Sequence, residues 1–197
     1  MQDEQILHQS QDEFGPLIVL GLGGGELVHA LRRFDTGIKV TAVELRAQVI
    51  ELARRYFQLP IGKKLSIIHQ DANLFLEQGD HKKADVIFVD IYGADGVDEN
   101  QLSETFIANA AALIKTDGYL VLNCWKEHSQ NRVLLSHLQR HFSEVRACLT
   151  GGGNWVVFAG KTKREITSAG LKSKAHSLSQ QLYFTLGRSL TRFALWE

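Results

Sequence analysis

Seven short runs of aliphatic and β-branched residues, at 17–21, 39–43, 65–69, 85–90, 118–123, 144–149 and 154–160, are separated by stretches of helical periodicity, and this alternation constrains the fold most. A strand with one wet face alternates apolar and polar residues. Runs such as 17–21 and 86–89 are apolar throughout, as strands covered on both faces are. The helical stretches, at 26–34, 47–57, 72–78, 102–114 and 129–141, are long enough to carry the chain back between parallel strands. Only Thr150 to Asn154 joins the last two runs, too short for a crossover helix, so these two form an antiparallel hairpin. The predicted fold is α/β: a seven-stranded, mostly parallel sheet ending in an antiparallel hairpin, with helices on both faces.

With 197 residues, 44% of them apolar, the chain can bury one sizeable core. It divides into an extension at 1–16, the sheet domain at 17–160 and a tail at 161–197. In the tail Lys161, Lys163, Arg164, Lys172, Lys174, Arg188 and Arg192 face only Glu165 and Glu197. Leu178, Leu182, Leu186 and Leu190 recur there every fourth residue, which predicts an amphipathic helix over about 174–194, packed on its own domain or on a second subunit, the alternative being a membrane-surface role.

The 22 basic and 22 acidic residues cancel, so no global field draws nucleic acid or an anionic membrane. No apolar run approaches the ~20 residues of a bilayer span. Met1 to Phe14 is polar and acidic, the reverse of a secretory leader, which predicts a cytoplasmic location. Cys124 and Cys148 sit in apolar runs and are expected to be buried free thiols rather than a disulfide.

The first run leads directly into Gly21, Leu22, Gly23, Gly24, Gly25 and Glu26, and then a helix begins. Glycines at this turn allow unusual dihedrals and let the backbone approach a ligand without Cβ atoms in the way. A dinucleotide fingerprint needs glycine at position 26. Glu26 instead puts a carboxylate where a pyrophosphate would dock, which argues against NAD. No Gly-Lys-Ser or Gly-Lys-Thr follows, so a Walker loop is excluded. Glu44 ends the second run about twenty residues later, where an acid accepts bonds from both ribose hydroxyls; the plainer alternative is a solvated strand-end carboxylate. Asp71 ends the third, either beside an adenine amino group or simply capping the next helix. Together these strand ends describe an adenosyl nucleoside bound without a pyrophosphate.

The fourth run, Asp85-Val-Ile-Phe-Val-Asp90, continues into Ile91, Tyr92, Gly93, Ala94, Asp95 and Gly96. Here the chain resembles the spermidine synthases, over about 145 residues, and so the Rossmann-like class I methyltransferase fold. That family carries GGGDGG, V-E-x-D, GDG or GDA and D-S-S-D-P-x-G-P segments after its first four strands. They appear here as Gly21-Leu-Gly-Gly-Gly-Glu26, Val43-Glu-Leu-Arg46, Gln70-Asp-Ala72 and Asp90-Ile-Tyr-Gly-Ala-Asp95. The resemblance implies donor contacts from Gly21, Leu22, Gly23 and Gly25, from Glu44 and Leu45, and from Asp71 and Ala72. It makes Asp90 the aspartate that activates the amine. The family acids are replaced by Gly24, Arg46 and Gly93, and the family's N-terminal β-domain has no counterpart in the sixteen residues before the first run.

Asp85, Asp90, Asp95, Asp98, Glu99 and Glu104 fall between Ala84 and Ile114 without a single Lys or Arg, a pattern expected to favour a cation. Tyr92 either closes over the ligand or is a plain loop aromatic. His137 and His141 stand four apart on one helix, but two ligands make no zinc site, and no metal is expected. The expected activity is aminopropyl transfer from decarboxylated S-adenosylmethionine, or from S-adenosylmethionine itself, to a small-molecule amine by a homodimer. The alternatives are an S-adenosylmethionine-dependent methyltransferase and a non-catalytic adenosyl-thioether-binding protein, the latter favoured by Gly24 and Gly93.

Overall fold

The computed structural model describes residues 15–93, 96–165 and 167–197. In chain order the elements are β1 (Leu17–Leu20), α1 (Glu26–Phe34), β2 (Val40–Glu44), α2 (Ala47–Tyr56), β3 (Leu65–His69), α3 (Ala72–Gln78) and β4 (Ala84–Val89). A two-stranded ribbon follows, β5 (Tyr92–Gly93) and β6 (Gly96–Val97), then α4 (Glu104–Ala112), β7 (Ile114–Trp125), α5 (Arg132–His141), β8 (Glu144–Leu149), β9 (Asn154–Gly160), α6 (Ser168–Leu182), α7 (Gly187–Leu190) and β10 (Phe193–Leu195). The main sheet has the order β10-β8-β9-β7-β4-β1-β2-β3. β1 to β4 and β7 run parallel, and β9 is antiparallel to both β7 and β8, as the short link between the last two runs requires.

All four residues of β1 are buried because both faces of the sheet are covered. Leu17 and Val19 point to one side, where Val28 of α1 and Ile50 and Ala53 of α2 cover β1 and β2. Ile18 and Leu20 point to the other, joining Phe75 of α3, Phe106 and Ile107 of α4, and Leu134 and Leu138 of α5. The helix ends are set by side chains: the Ser103 hydroxyl accepts from the Phe106 amide, and the Asn131 amide oxygen accepts from the Leu134 amide. These caps explain why the stretches expected to begin at 102 and 129 start at Glu104 and Arg132. Both cysteines are buried free thiols, as expected.

The tail departs from the sequence reading. The single helix expected over 174–194 is two helices and a strand: α6 stops at Tyr183, which turns left-handed at φ 57°, and α7 spans one turn. Phe193 to Leu195 then pair antiparallel with β8, so the sheet has eight strands rather than seven. Aromatic packing holds this last strand. The Phe193 ring meets Phe158 edge-on at 5.2 Å, and the buried Trp196 meets Trp155 edge-on at 5.7 Å. Among the described residues no helix is long and apolar enough to cross a membrane.

Candidate functional site

β1 has β2 on one side and β4 on the other, so the strand order reverses there and a crevice opens outside the carboxyl ends of these strands. The loop after β1 lies against the loop after β4. Gly21 sits at φ 92°, and a Cβ there would collide with the Asp90 carbonyl, so only glycine allows this approach. Gly25, at φ 89°, makes the left-handed entry to α1. Leu22 is buried beneath the loop while Gly23 is exposed above it. A Cβ at Gly24 would meet the Glu26 carboxylate, which therefore lies over the position where the synthases carry their loop acid.

Glu44 is only 6% exposed, and its carboxylate ties the loop after β1 to the start of the segment after β2. Oε2 accepts the Leu22 amide at 3.0 Å, and Oε1 accepts the Arg46 amide at 2.9 Å, with Arg46 Nε at 3.7 Å. A carboxylate has about four lone-pair sites, so two remain for a ligand's hydroxyls. Leu45 is 60% exposed, and its carbonyl bonds the His69 ring. Asp71 caps α3: Oδ1 accepts the amides of Asn73 and Leu74 at 2.8 and 3.1 Å. Capping engages that one oxygen. Ala72 is buried against the core, so it can present only its backbone.

Asp90 is exposed at the end of β4, with its amide bonded to the Leu20 carbonyl at 2.8 Å. Its Oδ1 accepts from Asn123 Nδ2 at 2.8 Å. Asn123 belongs to β7, the next strand, and its Oδ1 accepts from Asn154 Nδ2 of β9 at 2.8 Å. Tyr92 donates its hydroxyl to the Asn123 carbonyl at 3.2 Å. Burial first, then the Asp90 carboxylate and Cys124, push the Tyr92 phenol up to about 12, so it is a neutral donor at physiological pH. The ring of Trp125 lies 6.2 Å from that of Tyr92 and covers Gly96, where a Cβ would run into the indole. Below, the buried Gln101 donates to the Ile91 carbonyl at 2.9 Å and anchors the loop.

The structure therefore gathers Gly21 to Gly25, Glu44, Asp71, Asp90 and Tyr92 along one edge of the sheet. It does not gather the six acids. Asp85 lies at the opposite end of β4, paired with Lys115 at 2.9 Å, and Glu104 is bound to Arg140 at 2.6 Å, which holds its carboxyl below the usual range. Asp98 caps the turn at Glu99–Leu102, and Asp95 lies outside the described residues. The local field thus rests on fewer carboxylates than the spacing suggested. The ring of His137 bonds the Leu102 carbonyl. Asn123 and Asn154 were not anticipated, although an asparagine closing the apolar run Leu120-Val-Leu-Asn123 is a signal that was there to read.

The spermine/spermidine synthase domain family matches residues 4–159. A polyamine aminopropyltransferase of Neisseria meningitidis serogroup B is 28% identical over 164 residues, covering 81% of this chain and 62% of the relative. One from Clostridium beijerinckii is 28% identical over 109 residues, covering 53% and 38%. The chain thus spans less than two thirds of these relatives' length. Among solved structures, human methyltransferase-like protein 13 in complex with SAH superposes with a TM-score of 0.77 at 18% identity, covering 85% of this chain and 82% of that one. Spermidine synthase from Thermotoga maritima superposes with a TM-score of 0.72 at 18% identity, covering 93% and 66%. These superpositions bear out the α/β class I methyltransferase-like fold.

Proposed function

Since the chain belongs to the spermine/spermidine synthase domain family, we propose that it transfers an aminopropyl group from decarboxylated S-adenosylmethionine to a small-molecule amine. The observation that carries this reading is the row of strand ends: a glycine loop braced by Glu44, then Asp71, then an exposed Asp90 whose carboxylate is held by Asn123. The free lone pairs of Glu44 suit a ribose diol, the glycine loop, free of Cβ atoms, suits close approach of the thioether side, and the free oxygen of Asp71 suits an adenine amino group.

In the transfer a neutral amine attacks the methylene carbon beside the sulfonium. The new C–N bond forms as the C–S bond breaks, the electron pair returns to sulfur, and methylthioadenosine leaves as a neutral thioether. The proton lost from nitrogen goes to Asp90, acting as general base. Glu26 supports the decarboxylated donor over S-adenosylmethionine, because a carboxylate over the glycine loop attracts the donor's ammonium and repels a second carboxylate. Exposed Tyr183, Phe184 and Leu195 support a homodimer, and two free buried thiols support a reducing, cytoplasmic location.

Turnover assays with each donor and putrescine or spermidine test the reading. Methylthioadenosine formed from the decarboxylated donor, dependent on amine, is the expected result. Binding of adenosyl thioethers without transfer to any amine overturns it in favour of a binding protein.

A further inference from the structure

At one end of three neighbouring strands, Asn154 opens β9, Asn123 lies two residues before the end of β7 and Asp90 follows β4, and their side chains form one line of hydrogen bonds across the top of the sheet. Asn123 pairs with Val156 and Trp125 with Asn154, so Asn123 and Asn154 are diagonal neighbours on one face of the β7–β9 ladder. Each link is 2.8 Å. The line has a direction: Asn154 donates to Asn123, and Asn123 donates to Asp90. The backbone of Asn154 is itself fixed, its amide donating to Thr150 Oγ1 at 3.0 Å and its carbonyl accepting the Thr150 amide at 2.8 Å.

An asparagine amide has two orientations of nearly the same shape, one presenting NH₂ and the other oxygen. With the Asn123 oxygen engaged by Asn154, its NH₂ is the group turned toward Asp90. Turned over, the amide would set its oxygen against the Asp90 carboxylate and its NH₂ against that of Asn154. The geometry points to Asn154 as a positioning residue: acting through Asn123, it holds Oδ1 of Asp90 and leaves Oδ2 to meet the amine. This rests on the role proposed above for Asp90. It adds that the hairpin β8–β9, which contributes nothing to the row of strand-end acids, sets the aim of the base.

The test uses Asn154→Asp, which keeps the shape of the side chain but offers Asn123 only acceptors, so that the Asn123 amide turns away from Asp90. Asn154→Ala is the second variant should the first fold poorly. With decarboxylated S-adenosylmethionine and putrescine, kcat should fall about tenfold or more, as misplacement of a reacting group does. Donor KM and methylthioadenosine affinity should stay unchanged. In an Asn123→Ala background the same substitution should have no further effect, whereas a merely structural loss would add. Independently of turnover, the side-chain amide signals of Asn123, identified by their loss in Asn123→Ala, should move in Asn154→Asp in ¹⁵N-edited spectra. Additive losses in kcat, or Asn123 signals indifferent to Asn154→Asp, overturn the assignment. A wild-type chain that transfers nothing to an amine removes the proposed activity, and the spectra then decide on Asn154 alone.

Discussion

Replacing Glu44 by glutamine separates the loop bracing that its carboxylate performs from the ribose contact proposed for it. In the free protein the two oxygens accept the Leu22 and Arg46 amides at 3.0 and 2.9 Å from a residue only 6% exposed. A glutamine keeps one acceptor and turns an NH₂ toward the other amide, stranding a buried N–H at a cost of about 1–3 kcal/mol. For a domain of this size each kcal/mol lowers Tm by about 2–4 °C, so the ligand-free melt should fall by about 2–12 °C. The ribose bonds proposed for the same carboxylate would be charge-assisted, and weakening them should reduce methylthioadenosine affinity by about 10- to 100-fold. Thermal melts across a methylthioadenosine titration read both quantities from one set of samples. An unchanged melt without ligand refutes the loop-bracing argument. A lowered melt with unchanged affinity leaves Glu44 as a brace and refutes the ribose contact.

Asp90→Asn preserves the loop and its bond to Asn123 in shape while removing the proposed base; kcat should drop by about 100-fold or more with methylthioadenosine affinity nearly intact, and full activity in the variant would discard Asp90 as the base. Burial pushes the Cys124 thiol from its ordinary 9.0 to about 12, so the folded chain keeps a proton that the unfolded chain releases. Stability is then complete below about pH 9 and is lost at up to ~1.4 kcal/mol per pH unit above it. Denaturant melts between pH 8 and 11 should show that slope reduced in Cys124→Ala; an equal slope in both chains would rule it out. Trp196→Ala removes a buried ring packed on Trp155 and should cost about 3–5 kcal/mol in urea unfolding, whereas a loss under 1 kcal/mol would mean that the final strand contributes little to the fold.

The sheet was legible because its strands are covered on both sides. Runs such as Leu17 to Leu20 or Val86 to Val89 carry no polar residue that would blur them, and the strand ends carrying Gly21, Glu44, Asp71 and Asp90 followed once the runs were placed. The tail was misread because leucines four apart fit a helix whether or not the backbone continues as one. Leu178 and Leu182 lie in α6, Leu186 follows the left-handed break at Tyr183, and Leu190 ends a separate turn. Three residues of strand at Phe193 to Leu195 are too few to show a period of two. The acids between Ala84 and Ile114 were grouped by sequence proximity alone, and a strand separates its two ends: Asp85 and Asp90 stand at opposite edges of the sheet. Asn123 and Asn154 escaped because their meaning depends on the order β9, β7, β4, which sequence neighbours do not reveal.

The pairing of β10 with β8 also bears on how the chain reaches this structure during synthesis. Until residues 193–195 have been made, the backbone of β8 presents unpaired N–H and C=O groups to the solvent beside the uncovered indole of Trp155, while the rest of the sheet is already complete. An open edge of this kind recruits strands from other chains. The nascent protein is therefore exposed to misassociation at this edge after the crevice beside β1 and β4 can already form. An adenosyl ligand that stabilises the crevice would not protect that edge. Aggregation of chains shortened before Phe193 should accordingly respond to temperature and concentration but not to methylthioadenosine.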